Sequence, residues 1–272
     1  MNTACIFEYK TQAMRRLTNL AGQGYVYHTC GVVLLEKAER LHQRFAELYG
    51  TQISDDQRYR AFKKGRCKAQ SIMYYCASDQ VVRWWLVCTD GSGVIRERES
   101  LGDARDKHHR LTFPAPDKYY SENSAPPKYE MVRHHARDQK TGNTKARWTW
   151  QYHRDSYNNL FNCLAEEVAG VRYIDGNFRR DKLLVSMLNS LQRTPGFHES
   201  RRQAIVLHKH ARKVWKKRQS RPWPYRGGDF KSWVGEYQKE IKRPAAFFQK
   251  RGEKFRGIRK IDSPTQPHSS GL

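Results

Sequence analysis

The chain has 272 residues and carries 51 Lys and Arg against 27 Asp and Glu, a formal charge of +24, with 38% hydrophobic and 12% aromatic residues. That content suffices for a packed core and excludes wholesale disorder, while no run approaches the roughly 20 apolar residues of a membrane span. Met1 to Lys10 lacks the basic-then-apolar order of a secretory signal, so the expectation is a soluble, cytoplasmic protein.

The first predicted element is a helix from Thr3 to Leu20, stopped by Gly22 and Gly24, followed by a strand over Tyr25–Leu35. In Glu36–Tyr49 the residues Ala38, Leu41, Phe45 and Leu48 recur at helical spacing, with Gly50 placed as the stop. Strands follow at Gln70–Ala77 and Val81–Thr89 around a Ser78-Asp79-Gln80 turn, and Asp90-Gly91 opens a second turn into Val94–Arg98. The order strand, helix, strand, strand is that of half a ferredoxin-like sandwich, whose sheet can leave one face open to a ligand. RNA-recognition modules use such a face.

Beyond the proline-rich stretch Pro114–Lys128, a hairpin is expected to join Lys128–His135 to Ala146–Tyr152 through a polar loop. Ala146, Trp148, Trp150 and Tyr152 alternate with Arg147, Thr149 and Gln151, so the aromatics form either a core face or a base-stacking platform. The period then turns helical. Tyr157, Leu160, Phe161, Leu164 and Val168 make one stripe and Leu184, Met187, Leu188 and Leu191 a second, ended by Thr194-Pro195-Gly196. A third helix, from about Glu199 to Lys217, turns Ala204, Leu207, Ala211 and Val214 inward and carries a basic outer surface. The fold class expected is α+β: a ferredoxin-like half-sandwich with β-hairpins in an α/β domain over 1–153, a basic helical domain over 154–262, and a flexible tail over 263–272.

Residues 201–272 hold 20 basic and 5 acidic side chains, a net +15, against +9 for the first 200. So large a surplus repels itself and points to a polyanionic partner. The basic residues proposed to meet nucleic acid fall into two groups. Arg58, Arg60, Lys63, Lys64, Arg66 and Lys68 precede the second strand in what reads as a loop. Arg202, Lys209, Arg212, Lys213, Lys216, Lys217, Arg218, Arg221, Arg251, Lys254 and Arg256 lie near the C-terminus, interleaved with Trp215, Trp223, Tyr225, Phe230, Trp233, Tyr237, Phe247, Phe248 and Phe255. Cations for phosphates together with rings for unstacked bases suit RNA in single strands or hairpins.

Cleaving RNA without a metal requires a base for the 2′ proton, an acid for the 5′ leaving oxygen, or cations that stabilise the transition state. Among eleven histidines, His28 and His134 are the candidates for acid–base work, and Arg16, beside Arg15, for electrostatic stabilisation. Metal chemistry has less support. Asp155, Glu166, Glu167, Asp175 and Asp181 form no nuclease motif, the six cysteines include no C-x-x-C pair, and neither a Walker loop nor a dinucleotide fingerprint occurs, so no metal or other cofactor is expected.

The half-sandwich order, the basic C-terminal region and this His/Arg inventory resemble the repeat-associated RNA-binding (RAMP) proteins of CRISPR systems, in particular the divergent endoribonucleases of plasmid-borne type IV systems. The likeness spans residues 24 to 260 loosely. Where the family carries a glycine-rich loop, this chain has Arg251-Gly252-Glu253-Lys254-Phe255-Arg256-Gly257, with two glycines. Gly24-Tyr25-Val26-Tyr27-His28-Thr29 and Arg193-Thr194-Pro195-Gly196-Phe197 are also similar to segments of proteins from plasmids and integrative elements. The resemblance implies binding of a precursor repeat hairpin, cutting on its 3′ side, retention of the product, and other subunits of a ribonucleoprotein complex as partners. Two other functions stay open: a DNA-binding replication or partition factor, and a non-catalytic RNA scaffold.

Overall fold

The computed structural model describes residues 4–114, 127–137, 144–170, 173–174, 177–178, 181–219, 223 and 242–248. The chain opens with a short strand, β1 (Cys5–Phe7), before helix α1 (Lys10–Gly22). The single helix expected from Thr3 is therefore a strand and a helix. Cys5, Ile6 and Phe7 are apolar in sequence, and Phe7 pairs in parallel with Tyr74 of a later strand, a long-range contact that overrides local helical spacing. Strand β2 (Tyr27–Leu34) leads through a 3-10 turn at Leu35–Lys37 into α2 (Ala38–Tyr49), which ends as expected at Gly50 in the left-handed conformation, φ 62°.

The segment read as a basic loop is helical. In α3 (Asp55–Lys63) the Ser54 hydroxyl accepts from the backbone of Gln57, whose side chain accepts from the backbone of Ser54, a complete capping box. Strands β3 (Ala69–Cys76) and β4 (Val81–Cys88) form the expected hairpin. A one-turn helix α4 (Val94–Arg98) and two short strands, β5 (Gly102–Asp103) and β6 (Thr112–Phe113), follow. The second hairpin, β7 (Tyr129–Arg137) and β8 (Thr144–Tyr152), extends slightly beyond its expected bounds. Helix α5 (Arg154–Gly170), the small strands β9 (Tyr173–Ile174) and β10 (Asn177–Phe178), α6 (Asp181–Gln192), α7 (His198–Arg218) and β11 (Lys242–Pro244) complete the described chain.

The architecture is mixed α+β. The main sheet has the order β11-β1-β3-β4-β2-β5, and a second, antiparallel sheet has the order β6-β7-β8. β4 lies between β2 and β3 and is antiparallel to both.

Both faces of the main sheet are buried, so the face expected to stay open for a ligand is closed. Val82, Leu86 and Cys88 of β4 pack toward Phe45 of α2, and Trp85 and Val87 pack toward Met14 and Leu17 of α1. The second cluster continues without interruption through Phe113, Tyr129, Met131, Trp150 and Tyr152 into Leu164, Leu188, Leu207 and Trp215 of the helices. Trp150 is fully buried and its indole N–H donates to the carbonyl of Met14 at 3.0 Å and to the Thr18 hydroxyl at 2.8 Å, fastening the second hairpin to α1. The Trp148-Trp150-Tyr152 alternation is thus a core face and no stacking platform.

Candidate functional site

The second hairpin and the start of α7 bring four polar side chains together. In the β7–β8 ladder His134 stands opposite Arg147, so the two share one face of the ribbon. The turn before α7 is held by the Ser200 hydroxyl, which donates to the carbonyls of Pro195 and Phe197, and by the 2.6 Å contact of the Tyr152 and Thr194 hydroxyls. The backbone N–H of Tyr152 donates to Gln203 Oε1 at 2.7 Å, locking helix to hairpin. These ties place His198 and Glu199, the first two residues of α7, against His134.

Glu199 is the hub. His198 Nδ1 donates to its Oε1 at 3.0 Å, His134 Nδ1 lies 3.2 Å from the same oxygen, and Arg202 Nε donates to Oε2 at 2.8 Å. The two imidazole centroids are 5.0 Å apart. Glu199 is 4% exposed, and burial alone disfavours its charge. The hydrogen bonds from Arg202 and His198, with the charges of Arg202 and His134, outweigh that and hold the carboxyl below its ordinary value. Its place in the first turn of α7 adds the favourable end of the helix dipole.

The His134 side chain is 36% exposed and that of His198 67%, so solvent reaches both rings while their carboxylate partner is sheltered. With Nδ1 of each ring turned to Glu199, Nε2 is left for proton transfer. One neutral and one protonated imidazole on a shared carboxylate form an acid–base pair. His134, His198 and Glu199 also lie close enough to share a cation, their ligand atoms falling within 4.8 Å of one another. The guanidinium already seated on the second carboxylate oxygen favours the acid–base use over the metal use.

His134 is thus the one proposed catalytic residue found in a polar centre of this kind, and the other two lie in different surroundings. His28, on β2, is 8% exposed; its Nε2–H donates to the carbonyl of His109 at 2.8 Å, and its buried Nδ1 has no hydrogen-bond partner among the described residues. Burial pushes its pKa below the ordinary value, against the hydrogen bond to His109 and the charge of Asp103. It is a packed ring inside the main sheet, paired with Val87 of β4 on one side and Gly102 of β5 on the other, where burial disfavours the charged form. Arg16 donates to Gln70 Oε1 at 2.8 Å beside a cavity of about 390 Å³, which Tyr25, Arg58, Tyr59 and Lys68 also line.

That cavity opens beside α3, which buries none of its residues. Arg60, Lys63, Lys64 and Arg66 are exposed, Arg58 is held by Asp55 and the carbonyl of Thr51, and Lys68 lies over the rings of Phe62 and Tyr25. Tyr59 and Phe62, 57% and 50% exposed, stand among these cations. Exposed rings between cations are what a single strand needs for stacking and phosphate contact, and they were missed because the segment reads as a loop. On α7, Arg202, Lys209, Arg212, Lys213, Lys216, Lys217 and Arg218 are exposed, opposite buried Ala204, Leu207, Ala211 and Trp215.

Trp215 and Phe248 are core residues, which removes them from base stacking; Trp223 packs edge-on against Trp215 and His208, and Phe247 is 39% exposed. Arg221, Arg251, Lys254, Arg256, Tyr225, Phe230, Trp233, Tyr237 and Phe255 lie outside the described residues, as do the tail 263–272 and the two-glycine segment. Among the described residues no helix is long and apolar enough to cross a membrane. No protein-family model matches this chain, and no curated protein or solved structure matches it either.

Proposed function

We propose that the protein is a structure-selective RNA-binding protein and a metal-independent endoribonuclease, with His134, His198, Glu199 and Arg202 at its reactive centre. The observation that carries this reading is the pair of imidazoles on one sheltered carboxylate. An acid–base pair needs a nucleophile already next to the phosphorus, and the ribose 2′-hydroxyl supplies one that DNA lacks. One ring takes the 2′ proton at Nε2, the 2′ oxygen attacks phosphorus, and the other ring gives its proton to the departing 5′ oxygen. A 2′,3′-cyclic phosphate and a 5′-hydroxyl result. Glu199 orients both rings and stabilises whichever is protonated, and Arg147, across from His134, is placed to meet the charged phosphate.

The ferredoxin-like reading of the β2–β4 segment is supported by its strand order. With both sheet faces covered, RNA is held instead by the cations and exposed rings of α3 and by the outer face of α7. The substrate class we propose is a hairpin RNA, with a precursor CRISPR repeat as the form implied by the resemblance.

Labelled hairpin RNA incubated with the protein in EDTA tests the reading. Cleavage is expected, reduced about 10²- to 10⁴-fold by His134→Ala or His198→Ala with binding retained, and abolished by one 2′-deoxy substitution at the cut. Intact RNA in EDTA, or cleavage restored only by a divalent cation, overturns it and reassigns the three side chains as metal ligands.

A further inference from the structure

A second cavity, of about 540 Å³, is lined by residues of α1, β7 and α6 and shares none of them with the histidine centre or with α3. Its polar lining is made of donors: Lys10 at the start of α1, Lys128 just before β7, and Ser186, Asn189, Ser190 and Arg193 from α6 and the residue after it. No Asp or Glu lines it among the described residues. The ring of Tyr129 and the side chain of Val185 give it an apolar wall.

Three observations set this cavity apart from an ordinary solvated cleft. Lys10 and Lys128 are each partly buried, and no described carboxylate pairs with either. Burial lowers the pKa of both ammonium groups, and for Lys128 the charge of Lys10 lowers it further, so the two cations act on each other across the cavity. Lys10 is also the first residue of α1, a helix with no side-chain cap and no acidic residue in its first turn. A cation at the positive end of a helix is unfavourable unless an anion sits with it.

We propose that this cavity binds a phosphate monoester dianion. A doubly charged group with three terminal oxygens relieves the repulsion of the lysines and accepts from Lys10, Lys128 and Arg193, while the serine hydroxyls and the Asn189 amide are placed for the remaining oxygen lone pairs or the group that carries the phosphate. A cavity of this size holds more than inorganic phosphate, which fits a nucleoside monophosphate or the 5′-phosphorylated end of a strand. The site is independent of RNA cleavage and stands whether or not His134 and His198 react.

Calorimetric titration of the full chain with inorganic phosphate, with AMP, and with a short RNA bearing either a 5′-phosphate or a 5′-hydroxyl separates the sources. One saturable site for phosphate or AMP is expected, weakened about tenfold or more by Lys10→Met or Lys128→Met and retained in Lys128→Arg. Tighter binding of 5′-phosphorylated than of 5′-hydroxyl RNA, lost in the Met variants, assigns the strand end; equal binding of the two RNAs with saturable AMP assigns the free nucleotide. The Met variants relieve repulsion, so without ligand their thermal midpoints should equal or exceed the parent's. No heat with any of the phosphate probes, or phosphate binding unchanged in both Met variants, overturns the proposal.

Discussion

At the level of single residues, chemistry follows from burial more than from residue type. His28 and His134 look alike in sequence, yet one is sealed within the main sheet, between β4 and β5, and the other faces solvent beside a carboxylate. The depressed His28 pKa has a stability consequence. As pH falls through about 6.5 the unfolded chain takes up a proton that the folded ring resists, so stability present above that pH is lost toward acid, at up to about 1.4 kcal/mol per pH unit. His28→Gln should therefore flatten the fall of the urea midpoint between about pH 7 and pH 5; a slope equal to that of the parent contradicts the burial argument. His134 could be nominated from the sequence because its residue type suits proton transfer. His198 and Glu199 could not, because the meeting of residue 134 with residue 199 depends on how a hairpin and a helix dock, which one sequence does not encode locally.

At the level of elements, the regular periods were readable and the short or cap-defined pieces were not. The hairpins β3–β4 and β7–β8 and the helices α2, α5, α6 and α7 carry strong alternation or helical stripes, and each occurs within a few residues of its expected position. β1 has three residues and exists through its partners β3 and β11, one of them more than two hundred residues away. α3 has no apolar stripe to betray it, but its Ser54-x-x-Gln57 capping box was there to be read. Because α3 buries nothing, the cap supplies much of its order. Ser54→Ala should cost the helix about 1 kcal/mol, seen as faster hydrogen exchange over residues 55–63 and weaker RNA binding, with little change in the global thermal midpoint; unchanged exchange there contradicts this. Gly91 is a different case. At φ +122°, a Cβ would stand 2.8 Å from the backbone N of Cys67 and from the carbonyl O of Gly65, so Gly91→Ala should push apart the turn that follows α3 and lower the urea midpoint clearly, by roughly 2 kcal/mol or more.

At the level of the whole molecule, the apolar core runs from α1 across the main sheet and the second hairpin to α7, and β11 returns the late chain to the edge of the first sheet. Such continuity predicts one cooperative unfolding transition, with tryptophan fluorescence and far-ultraviolet circular dichroism coincident; two resolved steps contradict it. The order of the elements announced a mixed α+β fold and the composition a surplus of cations, but neither told that both sheet faces would be covered, since Trp85 and Trp84 look equally available to a ligand in a linear reading. The cations of α3 and α7 remain on the outside, so RNA affinity should fall steeply with salt, with a log–log slope of about −4 to −7 if six to ten phosphates are met; a slope near zero removes the polyanion from the account. The chemistry of the cut ends is the most direct arbiter of the central claim that two imidazoles on one glutamate cleave RNA. Mass spectrometry of the products should show a 2′,3′-cyclic phosphate on the upstream fragment and a 5′-hydroxyl on the downstream one, whereas a 3′-hydroxyl with a 5′-phosphate is the mark of attack by external water and contradicts it.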